Sequence, residues 1–199
     1  MRRRCRNGAN VGLVACEHRR LVRVGELLLV TGPPGAGKST VATLLASMRT
    51  PSVLVEGDEL FRFLREGRID PWLVESNAQN SVVADAAGSA TGRFVQAGFW
   101  TVFDGVVGPW SLPQFMAAAG LERLHYAILL PDVATCVARV ATRVGHGFTD
   151  EDATRHMHAQ FEQAEVDRRH ILRDRTAAAE ALAASIAGRV DADELAFGA

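Results

Sequence analysis

The stretch GPPGAGKST, residues 32–40, contains the only lysine of the chain; every other fixed cation is an arginine. Its spacing is G-x-x-x-x-G-K-[ST], with Gly32, Gly37, Lys38 and Ser39 in register and Pro33, Pro34, Gly35 and Ala36 between the two glycines. Glycines so spaced let successive backbone N–H groups converge on phosphate oxygens at a helix N-terminus. A compact ammonium on a thin stem can thread into such a loop toward the β and γ phosphates of a nucleotide, where a broad planar guanidinium would clash. Ser39 then offers its hydroxyl to Mg2+, and Thr40 can help seat the α-phosphate.

Acidic residues at two expected strand ends could complete a phosphoryl-transfer site. In VLVEGDELFRFL, Glu56 and Asp58 point to one side if the chain stays extended, and a carboxylate there could accept the proton of an attacking hydroxyl. Asp58 could equally cap a helix ELFRFLREG that ends at Gly67. In FWTVFDGVVGPW, Asp104 follows an apolar run as an Mg2+-orienting carboxylate does, although Asp-Gly is also an ordinary turn signal. Arg139 and Arg143 stand four apart in DVATCVARVATRVGHGFTDED, on a different helical face from Val133, Val137, Val140 and Val144 and behind an expected N-cap at Asp132. Their guanidiniums could swing over transferring phosphates when the glycine-bounded VGHG segment closes, or simply complement a helix C-terminus.

Such groups need a scaffold that brings separate loops to one edge. LLLV at 27–30 reads as a buried parallel strand, and STVATLLASM after the glycines is a good helix sequence. Further strands are expected near 53–56, 101–104, 125–130 and 169–172, separated by helical stretches. That alternation describes a doubly wound α/β domain with a parallel sheet covered on both faces. Ligands in such sheets sit beyond the carboxyl ends of the strands, where the glycine loop, Asp58 and Asp104 all fall.

Composition narrows the partners. A chain of 199 residues, 48% of them apolar, can bury one full core. The formal net charge is −1 and no apolar run approaches the roughly 18 residues of a membrane span, so a small molecule is expected rather than nucleic acid or a membrane. Cys5, Cys16 and Cys136 are odd in number and form no C-x-x-C, which suits free thiols in the cytoplasm. Residues 1–25 carry seven arginines against one glutamate, whereas the remainder carries 15 basic against 22 acidic residues. The apolar stretch 11–15 is shorter than the roughly 7–15 residues of a secretory h-region, so this terminus reads as a basic arm ahead of a domain at 26–190 and a tail at 191–199. His156 and His158 diverge on a helix and make a poor metal pair.

GPPGAGKST, EGDELF, TVFDGVVGP and RVGHGFTDEDATRHMHAQFEQAE together resemble the P-loop small-molecule kinases: gluconate kinase, shikimate kinase, chloramphenicol phosphotransferase and tunicamycin-resistance proteins. The similarity covers residues 26 to about 188. Gluconate kinases carry a Gly-Asp pair after the second strand and an Arg, Gly-His, Gln-Phe and Glu pattern about the lid. The matching positions are Gly57-Asp58, Arg143, Gly145-His146, Gln160-Phe161 and Glu165. The resemblance implies a P-loop αβα sandwich with five parallel strands ordered 2-3-1-4-5 and a helical lid near 139–165. It also implies ATP with Mg2+, and phosphoryl transfer to a hydroxyl of a sugar acid, antibiotic or similar metabolite; a monomer or homodimer is expected. Asp58 then aligns with the base or substrate-orienting carboxylate, Arg139 and Arg143 with lid arginines, and the loop RDRT, containing Asp174, with the adenine pocket.

The segment at about 58–98, which lines the acceptor pocket in this fold, departs from gluconate and shikimate kinases. Trp72, Trp100, Trp110, Phe61 and Phe115 could form an apolar wall there, with Glu75, Asn77, Gln79 and Asn80 orienting the acceptor; the same aromatics could be plain core. A regulatory GTPase would need an Asn-Lys-x-Asp motif, which the single lysine excludes. An ATP-hydrolysing module usually has a second acid beside the strand-end aspartate, where this chain has Gly105. A nucleotide or nucleotide-sugar kinase is the remaining alternative; basic clustering would favour it, and residues 70–98 are poor in arginine.

Overall fold

The computed structural model describes residues 25–142, 148–173 and 178–198. Strand β1 is Leu27–Thr31, and all five of its residues are buried. Leu27 and Leu29 join one apolar cluster with Phe103, Phe115, Tyr126 and Phe161, while Leu28 and Val30 join another with Val41, Leu45, Ile186 and Val190. Burial on both faces explains an unbroken apolar run where a half-exposed strand would alternate.

From β1 the chain enters the glycine loop and α1 (Lys38–Ser47), then β2 (Ser52–Glu56), α2 (Gly57–Phe61), α3 (Asn77–Gln96) and β3 (Trp100–Asp104). It continues through α4 (Leu112–Ala119), β4 (Arg123–Leu129), α5 (Val133–Ala141), α6 (Glu151–Gln163), β5 (Ile171–Leu172), α7 (Ala179–Asp191) and β6 (Ala196–Gly198). The parallel strands are ordered β2-β3-β1-β4-β5, as the resemblance implied. Residues of α1 and α7 fill one face of the sheet and residues of α3, α4 and α6 the other, which makes three layers. Among the described residues no helix is long and apolar enough to cross a membrane.

Three expectations need correction. The segment 191–199 is not a plain tail, because Ala196–Gly198 pairs antiparallel with the start of β4 and adds a sixth strand. Three residues are too few to show a period; the strand is anchored by Leu195, fully buried, and by Phe197, edge-on to Tyr126 at 5.7 Å. Strand β5 is shorter than 169–172, because Arg168–His170 form a 3-10 turn whose Asp167 side chain accepts from Arg169 N at 3.0 Å. Strands β5 and β6 thus divide one edge of β4, the first pairing with Ile128 and Leu129 and the second with Arg123 to His125. Finally, α2 begins at Gly57 with Glu56 as N-cap and stops at Phe61, so Asp58 is not its cap and Gly67 does not end it. Because the chain coils at Gly57, Glu56 and Asp58 do not share an extended side.

Candidate active site

The loop between β1 and α1 is shaped by its glycines. Gly35 has φ +75°, and a Cβ there would lie 2.2 Å from the main-chain oxygen of Cys136 on α5. Gly37 has φ +93° and is the N-cap of α1; it makes no side-chain cap, and the first turn of the helix contains no acid. No side-chain cap or acid thus competes at the start of α1, a setting that suits an external anion and that the helix dipole also favours.

Two cations lie on this loop. The Lys38 ammonium donates to the Pro33 carbonyl at 3.1 Å, and Arg139, on the last turn of α5, donates through Nη1 to the Gly35 carbonyl at 3.3 Å. Helix α5 is set by the expected cap: Asp132 accepts from Thr135 N at 2.8 Å and from Thr135 Oγ1 at 3.0 Å. Val137 and Val140 then face inward, with Cys136 between the helix and the loop. Burial pushes the Cys136 thiol up to about 11, while Lys38 and Arg139 pull it back toward ionisation. Both positive charges are thus felt at one point beside the loop.

Asp104 ends β3, in register with Val30 of β1 and Glu56 of β2, and is 7% exposed. The chain beyond it turns into α4 rather than a hairpin, as expected. Asp58 is exposed in the first turn of α2. The two strand ends touch there, since a Cβ on Gly57 would lie 3.3 Å from the Asp104 main-chain oxygen and 3.4 Å from Gly105 Cα. Ser39 is half-buried and Thr40 exposed at the start of α1. Arg143, Gly145, His146 and Asp174 lie outside the described residues.

A helix N-terminus after a glycine loop, two cations and an adjacent serine fit a nucleoside triphosphate. No group of three or more His, Cys, Asp or Glu among the described residues could hold a metal ion. Mg2+ does not require one, since it is commonly held by phosphate oxygens, water and one or two protein oxygens. Ser39 and Asp104 are of the right type to supply those.

The aromatic wall divides. Trp100 packs on the α1 face, where its Nε1 donates to Leu45 O at 3.1 Å and the Arg49 guanidinium lies 4.0 Å over its ring. Phe115 is fully buried core. Trp72 stands edge-on to Phe148 at 4.9 Å, and Trp110, 53% exposed, lies against Phe161 at 5.1 Å. Gln79 and Asn80 are used internally: Gln79 bonds both backbone groups of Ile69 at 2.9 and 2.7 Å, and Asn80 donates to Pro71 O at 2.7 Å. His156 is exposed and His158 buried against Pro131 O at 2.8 Å, diverging as their spacing predicts.

Sequence reasoning missed a clamp beneath Asp104. The Val107 amide donates to Thr31 Oγ1 at 3.0 Å, and the Tyr126 hydroxyl donates to the Val107 carbonyl at 2.7 Å, all of it buried. The loop after β3 is thereby tied to the residue preceding Gly32 and to β4. Its partners lie 76 and 19 residues away, so no local pattern announces them.

This sheet order, with a glycine loop between β1 and α1 and a lysine at the first helical position, defines a kinase-like P-loop fold. A family model described as an AAA domain matches residues 27–166, and the chain belongs to that family of P-loop domains. No curated protein matches the sequence. Among solved structures, the tunicamycin resistance protein of Deinococcus radiodurans is similar at 17% identity and TM-score 0.62, over 83% of this chain and 95% of that one. A sugar kinase from Janibacter matches at 16% identity and TM-score 0.65, over 84% and 95%. Shikimate kinase from Acinetobacter baumannii matches at 17% and 0.57, over 87% and 97%. At these identities the likeness is one of fold.

Proposed function

We propose that the protein is an ATP-dependent kinase that transfers the γ-phosphate to a hydroxyl of a small molecule. The observation that carries this reading is one sheet edge holding a phosphate cradle with Lys38 and Arg139 on it and, two strands away, the exposed carboxylate of Asp58. The neighbours named as sugar kinase and shikimate kinase support it.

Bound with Mg2+, ATP supplies the γ-phosphoryl group and leaves as ADP. The amides at the start of α1 bind phosphate oxygens, and Lys38 exchanges the Pro33 carbonyl for phosphate. Ser39 offers its hydroxyl to Mg2+, and Asp104 orients that side of the site. Asp58 orients the acceptor hydroxyl and takes its proton, while Arg139 offsets negative charge as the group transfers. Positioning and electrostatics account for the whole of the protein's contribution.

ADP release across a panel of sugars, polyol acids, nucleosides and hydroxylated antibiotics tests this, with Lys38→Ala as control. Acceptor-dependent release that Lys38→Ala abolishes, the fold being retained, is expected. Asp58→Asn should keep ATP affinity by calorimetry and lose turnover. Release that ignores every acceptor and rises with a macromolecular partner would instead make this an ATP-hydrolysing module.

A further inference from the structure

Exposed apolar side chains follow the strand end beside Asp58. Gly57 and Gly105 abut, so Asp58 and Val106 each leave the sheet edge one residue beyond the same contact. Val107 is 5% exposed and held by Thr31 and Tyr126, and this rigid clamp leaves the preceding Val106 at 42% exposure. Trp110 is also held in place. Its ring folds over Gly108, where a Cβ would come within 2.3 Å of ring carbons, and leans on Phe161, yet it is 53% exposed. Apolar side chains held in place by buried contacts while exposed to water offer a preformed apolar surface.

The facing segment has the same character. Gln114 Nε2 bonds Ser81 Oγ at 2.5 Å and so draws the start of α3 beside this loop. Of the eight large hydrophobic side chains exposed among the described residues, six fall within residues 63–82 and 106–110: Phe63, Leu73, Val74, Val82, Val106 and Trp110. Three of the polar side chains in this segment are turned to internal partners, Gln79 to Ile69, Asn80 through its amide nitrogen to Pro71 and Arg62 to Glu59. Arg65 and Arg68 lie in the loop after α2; between residues 70 and 110 the single arginine is Arg93, near the far end of α3, and there is no lysine. A site for a polyhydroxylated acid needs convergent hydrogen-bonding groups, since an unpaired polar substrate loses its hydration for nothing.

We infer that the acceptor is an alcohol carried on an apolar body, aromatic or alicyclic, which seats on Val106 and Trp110 and presents its hydroxyl to Asp58. This rests on the kinase reading above. Its test compares ADP release with phenyl- and cyclohexyl-substituted diols against glycerol, gluconate and shikimate, for the unaltered protein, Val106→Ser and Trp110→Ala. The apolar alcohols should show kcat/KM at least tenfold above the polar set. Each variant should lose at least about tenfold toward them, mainly in KM, with ATP affinity by calorimetry unchanged within twofold. Val106→Ser keeps the test decisive if Trp110→Ala unsettles the packing on Phe161. A preference for the polar set, equal losses on both sets, or no turnover of either set by protein that binds ATP would overturn the inference. Absence of ATP binding in the unaltered protein would remove the kinase reading itself.

Discussion

Arg139 Nη1 donates to the main-chain oxygen of Gly35 at 3.3 Å, across 104 residues of sequence. The same glycine admits no Cβ, because the Cys136 carbonyl, three residues before Arg139, would lie 2.2 Å away. Helix α5 and the phosphate loop are therefore fitted as one unit, and the guanidinium is carried to the loop by the packing that closes it.

Replacing Arg139 by alanine should weaken ATP binding by about ten- to a hundredfold, since a charge-assisted hydrogen bond contributes on the order of 1.5–3 kcal/mol. Folding stability should change by less than about 0.5 kcal/mol, because the side chain is exposed. Calorimetry and urea unfolding on the same samples check both; equal loss of affinity and stability would make Arg139 a structural residue.

Gly35→Ala should abolish nucleotide binding and destabilise the domain by more than about 2 kcal/mol, because strained backbone and a collision with main chain add together. Gly67 has a similar φ of +69° with nothing within 4 Å of its Cβ position. Gly67→Ala should cost only the conformational part, about 1–2 kcal/mol, and leave ATP affinity intact. The paired melts and titrations separate strain from fit.

Tyr126→Phe keeps the ring and removes the hydroxyl that donates to the Val107 carbonyl. A buried carbonyl left without its donor costs about 1–3 kcal/mol. Loosening the clamp should also raise KM for the acceptor several-fold while sparing ATP affinity. A variant with lowered stability and unaltered acceptor KM would confine Tyr126 to the core.

His170 is 1% exposed, with Nδ1 3.0 Å from the Tyr126 carbonyl and Nε2 3.3 Å from Arg169 Nε. A carbonyl can only accept and a guanidinium can only donate, so Nδ1 bears the proton, Nε2 is bare and the ring is neutral. Burial holds its pKa below the ordinary imidazole value, outweighing the Tyr126 hydrogen bond that raises it. Burial lowers His125 likewise. The unfolded chain takes up these protons near pH 6.5 and the folded one only at lower pH. Stability should therefore be level above about pH 7 and decline as the pH falls below about 6.5. Urea midpoints across that range should show it, with His170→Gln and His125→Gln each reducing the slope; an undiminished slope in both would assign it elsewhere.

What was legible in the chain was local. The glycine loop, the Asp132 cap and the β1 run each involve residues within a few positions, and backbone geometry alone links them to their roles. Trp100 and Trp110 show the limit. Both are tryptophans near β3, yet one is 7% exposed against α1 and the other 53% exposed against Phe161. Residue type reports that a ring prefers burial; it does not report which side of a sheet the chain will offer it.

Phosphate chemistry was determined by the sequence itself, because nine contiguous residues contain the glycines, the lysine and the hydroxyl, and a helix N-terminus supplies the rest. Tertiary structure alone decided that Arg139 reaches Gly35, that Thr31 and Tyr126 hold Val107, and that Val106 and Trp110 stay exposed. Each of those depends on which strands become neighbours. Strand order emerges from burying two faces of one sheet at once, a condition on the whole chain that no short spacing can express.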